Sequence, residues 1–185
     1  MISTTSTLPT ALIFDCDGTL ANTLPVHFHA WSTTFQTYGV TIAEDWFYRH
    51  CGVSAVEMIE LFNRSFGYQL DASQVNQDRQ QRYRSLISAV KEIKVVADIA
   101  RAHYNVVPMA VASGGERSLL EATLNAIGLR NLFDVVVSVN DVAQGKPAPD
   151  LFLLAAQRLQ VTPADCLVYE DSVQGLEAAR LAGID

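Results

Sequence analysis

The stretch Ala11-Leu12-Ile13-Phe14-Asp15-Cys16-Asp17-Gly18-Thr19-Leu20 decides how this chain is read. Four apolar residues in a row suit a strand buried on both faces. They run straight into Asp15 and Asp17. Side chains alternate along a strand, so carboxylates at this spacing point the same way. Gly18 and Thr19 then turn the chain out of the sheet. Two convergent negative charges at the end of an apolar strand repel each other and lose hydration. A turn held by Asx hydrogen bonds before Gly18 is the plainer reading. The flanking buried strand argues instead for a cation at its tip.

Outward from that strand the pattern changes twice. Residues 25–90 read as almost wholly helical. Phe28, Trp31, Phe35 and Tyr38 form one apolar stripe, and Met58, Leu61, Phe62, Ser65 and Phe66 a second. Asp71 to Ala89 is polar in its middle and amphipathic toward Tyr83, Leu86, Ile87 and Val90. Beyond it come a strand over Val106–Ala112, a helix over Glu116–Ile127 stopped by Gly128, and a strand over Val135–Val139. A helix over Pro149–Leu159, a strand over Cys166–Tyr169 and a helix over Val173–Ala182 stopped by Gly183 follow. Alternating strands and helices, with near-continuous apolar strands, mean a doubly wound parallel α/β sheet. The helical block interrupts that core after its first strand. It is expected as a mobile cap over the C-terminal sheet edge, with residues 1–23 and 94–185 as core and 24–93 as cap. The hinges would lie near Asn22–Leu24 and Val90–Lys94, and another strand is expected to begin around Ala182–Asp185.

Composition sets the bounds. At 185 residues, with 49% hydrophobic and 18% charged, the chain is globular and suits one large domain or a core with an insert. A net charge of −7 argues against nucleic acid or an anionic membrane as partner. Cys16, Cys51 and Cys166 are odd in number and widely spaced, as in a reducing compartment. The first residues have neither a basic nor a long apolar region, and no run would span a bilayer. The expected location is the cytoplasm, and the expected state a monomer.

Four segments at strand C-termini carry chemistry, and parallel strands bring their tips to one edge. Asp15 and Asp17 suit a nucleophile and a general acid/base. Ser113 precedes Gly114-Gly115-Glu116. It reads as the N-cap of a capping box, as a phosphate contact at a helix start, or both. Lys146 sits in Gly145-Lys146-Pro147-Ala148-Pro149-Asp150, where two prolines keep it extended as a fixed charge. Glu170-Asp171-Ser172 ends the last strand. Asp171 could cap the next helix, with Gln174 closing the box. A second acidic pair beside the first is better explained by a hard cation, and oxygen ligands beside a phosphate suit Mg²⁺. The cysteines and histidines lack metal-ligand spacing.

Taken together, these residues resemble the haloacid dehalogenase-like (HAD) hydrolase superfamily over essentially the whole chain. Asp15-x-Asp17-Gly18-Thr19 matches its first motif, Ser113 the second, Lys146 the third and Glu170-Asp171 the fourth. The resemblance implies Asp15 as nucleophile and Asp17 as acid/base. It implies Mg²⁺ held by Asp15, the Asp17 carbonyl and Asp171, with Glu170 direct or one shell out. Thr19, Ser113, Gly114 and Lys146 would face the phosphate. The helical insert looks like the cap of the β-phosphoglucomutase-like group, which includes the small sugar-phosphate phosphatases. His27 falls where that group carries a histidine on its first cap helix. Cys51-Gly52-Val53-Ser54-Ala55 is similar to the group's substrate loop, with Gly52 as a substrate contact. It departs from the mutases, which have lysine at the Cys51 position and, at the Ala55 position, an arginine that grips a second phosphate. Alanine cannot do so. The linker Lys91-Glu92-Ile93-Lys94 also lacks the usual Pro-Gly.

The reading is a Mg²⁺-dependent phosphatase acting through an aspartyl-phosphate. Its substrate is a small phosphorylated metabolite, a sugar phosphate such as fructose 1-phosphate. A sugar-phosphate mutase is the nearest rival. A non-catalytic receiver-like phospho-acceptor is a rival of another class, against which stand the large insert and Asp17.

Overall fold

The computed structural model describes residues 9–50 and 53–184. The chain divides into two compact units, Thr23–Val90 and the described residues on either side of it.

In the flanking unit, strand β1 (Ala11–Phe14) is wholly buried. It pairs in parallel with β4 (Met109–Ala112) on one side and β6 (Cys166–Tyr169) on the other. With β5 (Val135–Val137) these give the order β5-β4-β1-β6. Burying Leu12, Ile13 and Phe14, each no more than 2% exposed, is worth about 1.5–3 kcal/mol apiece. Alternation sends Ala11 and Ile13 into a cluster with Leu151, Phe152 and Ala155 of α7 (Asp150–Leu159) and Ala178 of α8 (Val173–Ala182). Phe14 stacks on Tyr169, with ring centroids 4.8 Å apart. Register alone therefore brings Asp15, Ser113 and Glu170 to one end of adjacent strands.

Two elements depart from the reading by pattern. The strand expected over Val106–Ala112 begins only at Met109: residues 104–108 turn the chain after helix α5 (Lys94–His103), and Val106 is 70% exposed. The strand expected over Val135–Val139 stops at Val137, where Ser138 opens a tight turn closed by Asp141. A two-stranded antiparallel ribbon, β2 (Ala21–Asn22) with β3 (Lys91–Glu92), also escaped the pattern.

The unit Thr23–Val90 contains α1 (Leu24–Thr37), α2 (Glu44–His50), α3 (Ala55–Phe66) and α4 (Ala72–Leu86). Its core joins Trp31 and Phe35 to Phe47, Met58, Ile59, Phe62 and Val75. Phe66, read as part of the second stripe, is 52% exposed. Ser54 starts α3 by accepting from the Glu57 N–H at 3.2 Å. Asp71 starts α4 by accepting from the N–H groups of Ser73 and Gln74. The polar middle of α4 hides a buried cation: Arg79 lies 5.2 Å from the Trp31 ring centroid. No helix among the described residues is long and apolar enough to cross a membrane.

Candidate active site

Asp15 extends the sheet ladder one residue past β1, its N–H donating to the Tyr169 carbonyl at 2.9 Å. The loop after β5 brings in Lys146, whose Nζ donates to Asp15 Oδ1 and to Glu170 Oε2, both at 2.6 Å. That ammonium also lies 5.0 Å from the Phe152 ring centroid. Glu170 is fixed at its other oxygen, where Oε1 accepts from the Ser172 N–H at 3.0 Å and hydroxyl at 2.7 Å. Asp171 Oδ1 accepts from the Thr19 hydroxyl at 3.2 Å. Asp15, Glu170 and Asp171 each offer a carboxylate oxygen, all within 4.8 Å of one another. The Asp17 side chain is not in that trio. Its Oδ2 lies 3.4 Å from the point where a Cβ on Gly115 would stand, which sets Asp17 beside the turn that follows β4.

Two glycines make this crowding possible. Gly18 has φ +94°, and a Cβ there would fall 2.1 Å from Asp171 Oδ2. A Cβ on Gly175 would fall 2.0 Å from the Glu170 carboxyl carbon. Gly175, Ser172 and the Thr19–Asp171 bond were missed as site features by sequence reasoning. Ser172 carries a signal, since a serine just before an apolar helix is a good N-cap.

Several expectations change here. Ser113 is buried at the tip of β4, and its Oγ accepts from the Gly115 N–H at 3.0 Å. It does not cap the next helix: α6 (Arg117–Ala126) starts from Glu116, which makes no side-chain cap, because Gly114 and Gly115 delay the helix. Asp171 does not cap α8 either. Ser172 does, accepting from the Gly175 N–H at 3.0 Å. Gly114 is exposed, with open space on its Cβ side. The peptide joining Lys146 to Pro147 is cis. His27 lies on α1 and stacks on Tyr83, with ring centroids 4.2 Å apart. Cys51 and Gly52 lie outside the described residues.

Asp15 and Glu170 share the ammonium of Lys146, with the carboxyl groups of Asp171 and Asp17 close by, so acidic groups outnumber the cation at this edge. Burial pushes Asp15 up to about 7, and Glu170 and Asp17 push the same way against the opposing pull of Lys146. Burial and the neighbouring Glu170 likewise raise Asp171. Burial works against the Lys146 charge, but Asp15 and Glu170 outweigh it and hold its proton more tightly than in free lysine. The three convergent carboxylates are hard oxygen donors, with no sulfur or imidazole among them, and could hold a divalent ion.

A profile of the haloacid dehalogenase-like hydrolases matches residues 9–183. This chain belongs to that family. The hydrolase is 36% identical over 174 residues to the fructose-1-phosphate phosphatase YqaB of Escherichia coli, covering 94% of this chain and 93% of that protein. It is 30% identical over 179 residues to the phosphorylated carbohydrates phosphatase of Thermotoga maritima, covering 95% of this chain and 82% of that one. Among solved structures, CbbY from Rhodobacter sphaeroides in complex with phosphate matches with a TM-score of 0.85 at 29% identity. That match covers 96% of the hydrolase and 84% of CbbY.

Proposed function

We propose that this hydrolase is a Mg²⁺-dependent phosphatase of a small phosphorylated metabolite, a sugar phosphate such as fructose 1-phosphate. The observation that carries the reading is the convergence of Asp15, Glu170 and Asp171 within 4.8 Å. Lys146 joins two of the three at 2.6 Å. The similarity to two named sugar-phosphate phosphatases supports the substrate class.

Asp15 is the proposed nucleophile. Its free carboxylate oxygen attacks phosphorus, the bond from phosphorus to the ester oxygen breaks, and an aspartyl-phosphate forms. Asp17 gives its proton to the departing alkoxide. It then takes a proton from water as that water attacks phosphorus, and the bond to Asp15 breaks with release of phosphate. Lys146 offsets charge on the phosphoryl oxygens and orients Asp15. Ser113, buried at the next strand tip, offers a hydroxyl to the same group. Asp15, Glu170 and Asp171, with the Asp17 carbonyl, are the proposed holders of Mg²⁺. Bound there, the ion supplies Lewis-acid polarisation of the phosphoryl group and offsets carboxylate charge.

The test is phosphate release from a panel of sugar phosphates, with Mg²⁺ and with EDTA, for the natural protein and Asp15→Asn. Mg²⁺-dependent release that Asp15→Asn abolishes, with the fold intact by circular dichroism, is expected. Retained turnover in Asp15→Asn would overturn the nucleophile assignment. Conversion of glucose 1-phosphate to glucose 6-phosphate faster than phosphate release would replace the phosphatase by a mutase.

A further inference from the structure

A lysine carried on a loop is only as well placed as its loop. The segment that delivers Lys146 leaves β5 through a turn built around Asp141. The Ser138 N–H and hydroxyl both donate to Asp141 Oδ2 at 2.8 Å. Two arginines from different helices close on the same carboxylate: Arg117 of α6 bonds Oδ2, and Arg158 of α7 bonds Oδ1 at 3.3 Å. Each guanidinium also donates to the Val136 carbonyl in β5, at 3.0 Å and 3.3 Å. Burial opposes ionisation of Asp141, but the Ser138 N–H and hydroxyl and both guanidiniums hold it well below the usual carboxylate range.

The same turn reaches the neighbouring strand tip. The Val139 N–H donates to the Gly115 carbonyl at 3.3 Å. Asn140 Oδ1 accepts from the Arg117 N–H at 2.8 Å. Downstream the loop is held again, where the Gln144 N–H donates to Asp150 Oδ2 at 3.3 Å. Between these two anchors lie only Val142 and Ala143, and Lys146 follows two residues after Gln144. The charge-assisted bonds on Asp141 therefore act on the short link between a rigid strand and Lys146.

We infer that Asp141, clamped between Arg117 and Arg158, is a positioning residue that sets Lys146 against Asp15 and Glu170 and registers the Ser113–Gly115 turn beside it. Asp141 touches none of the proposed reacting groups and acts through Lys146. The two Lys146 bonds are each 2.6 Å long, so a loop shift of about 1 Å takes them beyond hydrogen-bond length. The kinetic consequence rests on the phosphatase reading; the placement of Lys146 does not.

The chain carries three lysines, Lys91, Lys94 and Lys146. Lys91 is exposed and the Lys94 side chain is 77% exposed, against 10% for Lys146. Acetylation by an N-hydroxysuccinimide ester, read by peptide mass spectrometry, reports on each. In Asp141→Ala, Lys146 is expected to label at least tenfold faster than in the natural protein, with Lys91 and Lys94 unchanged. Unchanged protection of Lys146 overturns the inference whatever the activity. Should Asp141→Ala fail to fold, Asp141→Asn and Arg158→Met take its place. A threefold or greater rise in Lys146 labelling is expected in each, and no rise in either overturns the inference. Kinetics supply the second arm. Asp141→Ala should lower kcat/KM for p-nitrophenyl phosphate at least tenfold in the natural background and less than twofold in Lys146→Met. An equal loss in both backgrounds assigns Asp141 a purely structural part and overturns the inference. Faster Lys146 labelling in a protein that hydrolyses no phosphate ester would sink the phosphatase reading and leave the positioning intact.

Discussion

Replacing Gly175 by alanine pits helix propensity against the site. Alanine is favoured over glycine inside a helix by about 1 kcal/mol, so on propensity alone Gly175→Ala stabilises α8. The new methyl would stand 2.0 Å from the Glu170 carboxyl carbon, 2.1 Å from Oε2 and 2.5 Å from Cγ. A flexible side chain could swing away cheaply, but Glu170 is not free. Its side chain is 1% exposed, Lys146 holds one oxygen at 2.6 Å, and Ser172 holds the other through two bonds. Leaving one partner of a buried ion pair uncompensated costs about 3–5 kcal/mol. Set against the propensity gain, the net loss is about 2–4 kcal/mol. For a chain of this size that corresponds to a fall of about 4–16 °C in the unfolding midpoint. The assay is thermal unfolding followed by circular dichroism. A second arm repeats the substitution in Glu170→Ala, where the obstruction is gone and Gly175→Ala should raise stability by about 1 kcal/mol. A midpoint that rises in the natural background, or that falls equally in both, would refute the reasoning.

Gly18→Ala should lower phosphate release more than tenfold and stability by about 1–2 kcal/mol. The positive φ strains any L side chain, and the methyl evicts Asp171, so near-natural turnover would contradict the close approach at 2.1 Å. Asp15 has a folded pKa raised to about 7, so without divalent ions its protonated form stabilises the fold at low pH. That contribution should fade as pH climbs from about 4 through 7, and melting in EDTA against Asp15→Asn checks it, since parallel curves would refute it. Excess Mg²⁺ should stabilise the natural protein by about 2.7 kcal/mol at one hundred times its Kd, read as a rise in melting midpoint, and much less in Asp171→Asn. Just past the C-terminal end of α1, the bond from the Tyr38 hydroxyl to Asp78 (2.6 Å) pushes that phenol up to about 12, burial acting the same way. Its stabilisation is complete below pH 10 and lost between about 10 and 12, and Tyr38→Phe should flatten that alkaline limb of a pH–melting curve.

What was legible in the sequence follows from how narrowly each job restricts residue type. An apolar run that ends in Asp15-Cys16-Asp17-Gly18 admits few folds, and its partners at Ser113 and Glu170-Asp171 directly follow clear apolar strands, while Lys146 stands out by its Pro-framed loop. The parallel register then determines the rest. Helix α5 hid because it buries only Ala97 and Ala100 while Val95 is 70% exposed, so its β-branched residues contradict its helical face. The ribbon of β2 and β3 has two residues per strand, too few for any period. Arg79 is invisible as a core residue because its sequence neighbours are polar, and a tryptophan from another helix, which no local pattern announces, lies against its charge. Cap positions are hard to read because Ser-x-x-Glu at 113–116 and Glu-Asp-Ser at 170–172 each offer several oxygens for one helix start. Local sequence does not say which oxygen the sheet edge takes first.

The Glu170-Asp171-Ser172 case joins the site to its scaffold. Ser172 caps α8 through Gly175 and, with the same hydroxyl, donates to Glu170. Glu170 in turn holds Lys146, and Lys146 holds Asp15. A helix start, a strand tip and a loop lysine are thus linked through one chain of bonds. The order matters energetically. Two carboxylates 4.8 Å apart repel by about 3.5 kcal/mol at an effective dielectric of 20. Repulsion from Glu170 is part of what raises Asp15 and Asp171, after the larger effect of burial. It is borne here because each acid is held by a donor from a different element: Lys146 for Asp15, Ser172 for Glu170 and Thr19 for Asp171. Glu170 is held twice over, by Lys146 at Oε2 and by the Ser172 N–H and hydroxyl at Oε1, whereas Asp171 relies on the Thr19 hydroxyl. Convergence of the acids is therefore a property of their donors as much as of the acids themselves. Ser172 and Thr19, which carry no charge, thus help to hold two of the three acids that could bind a divalent ion.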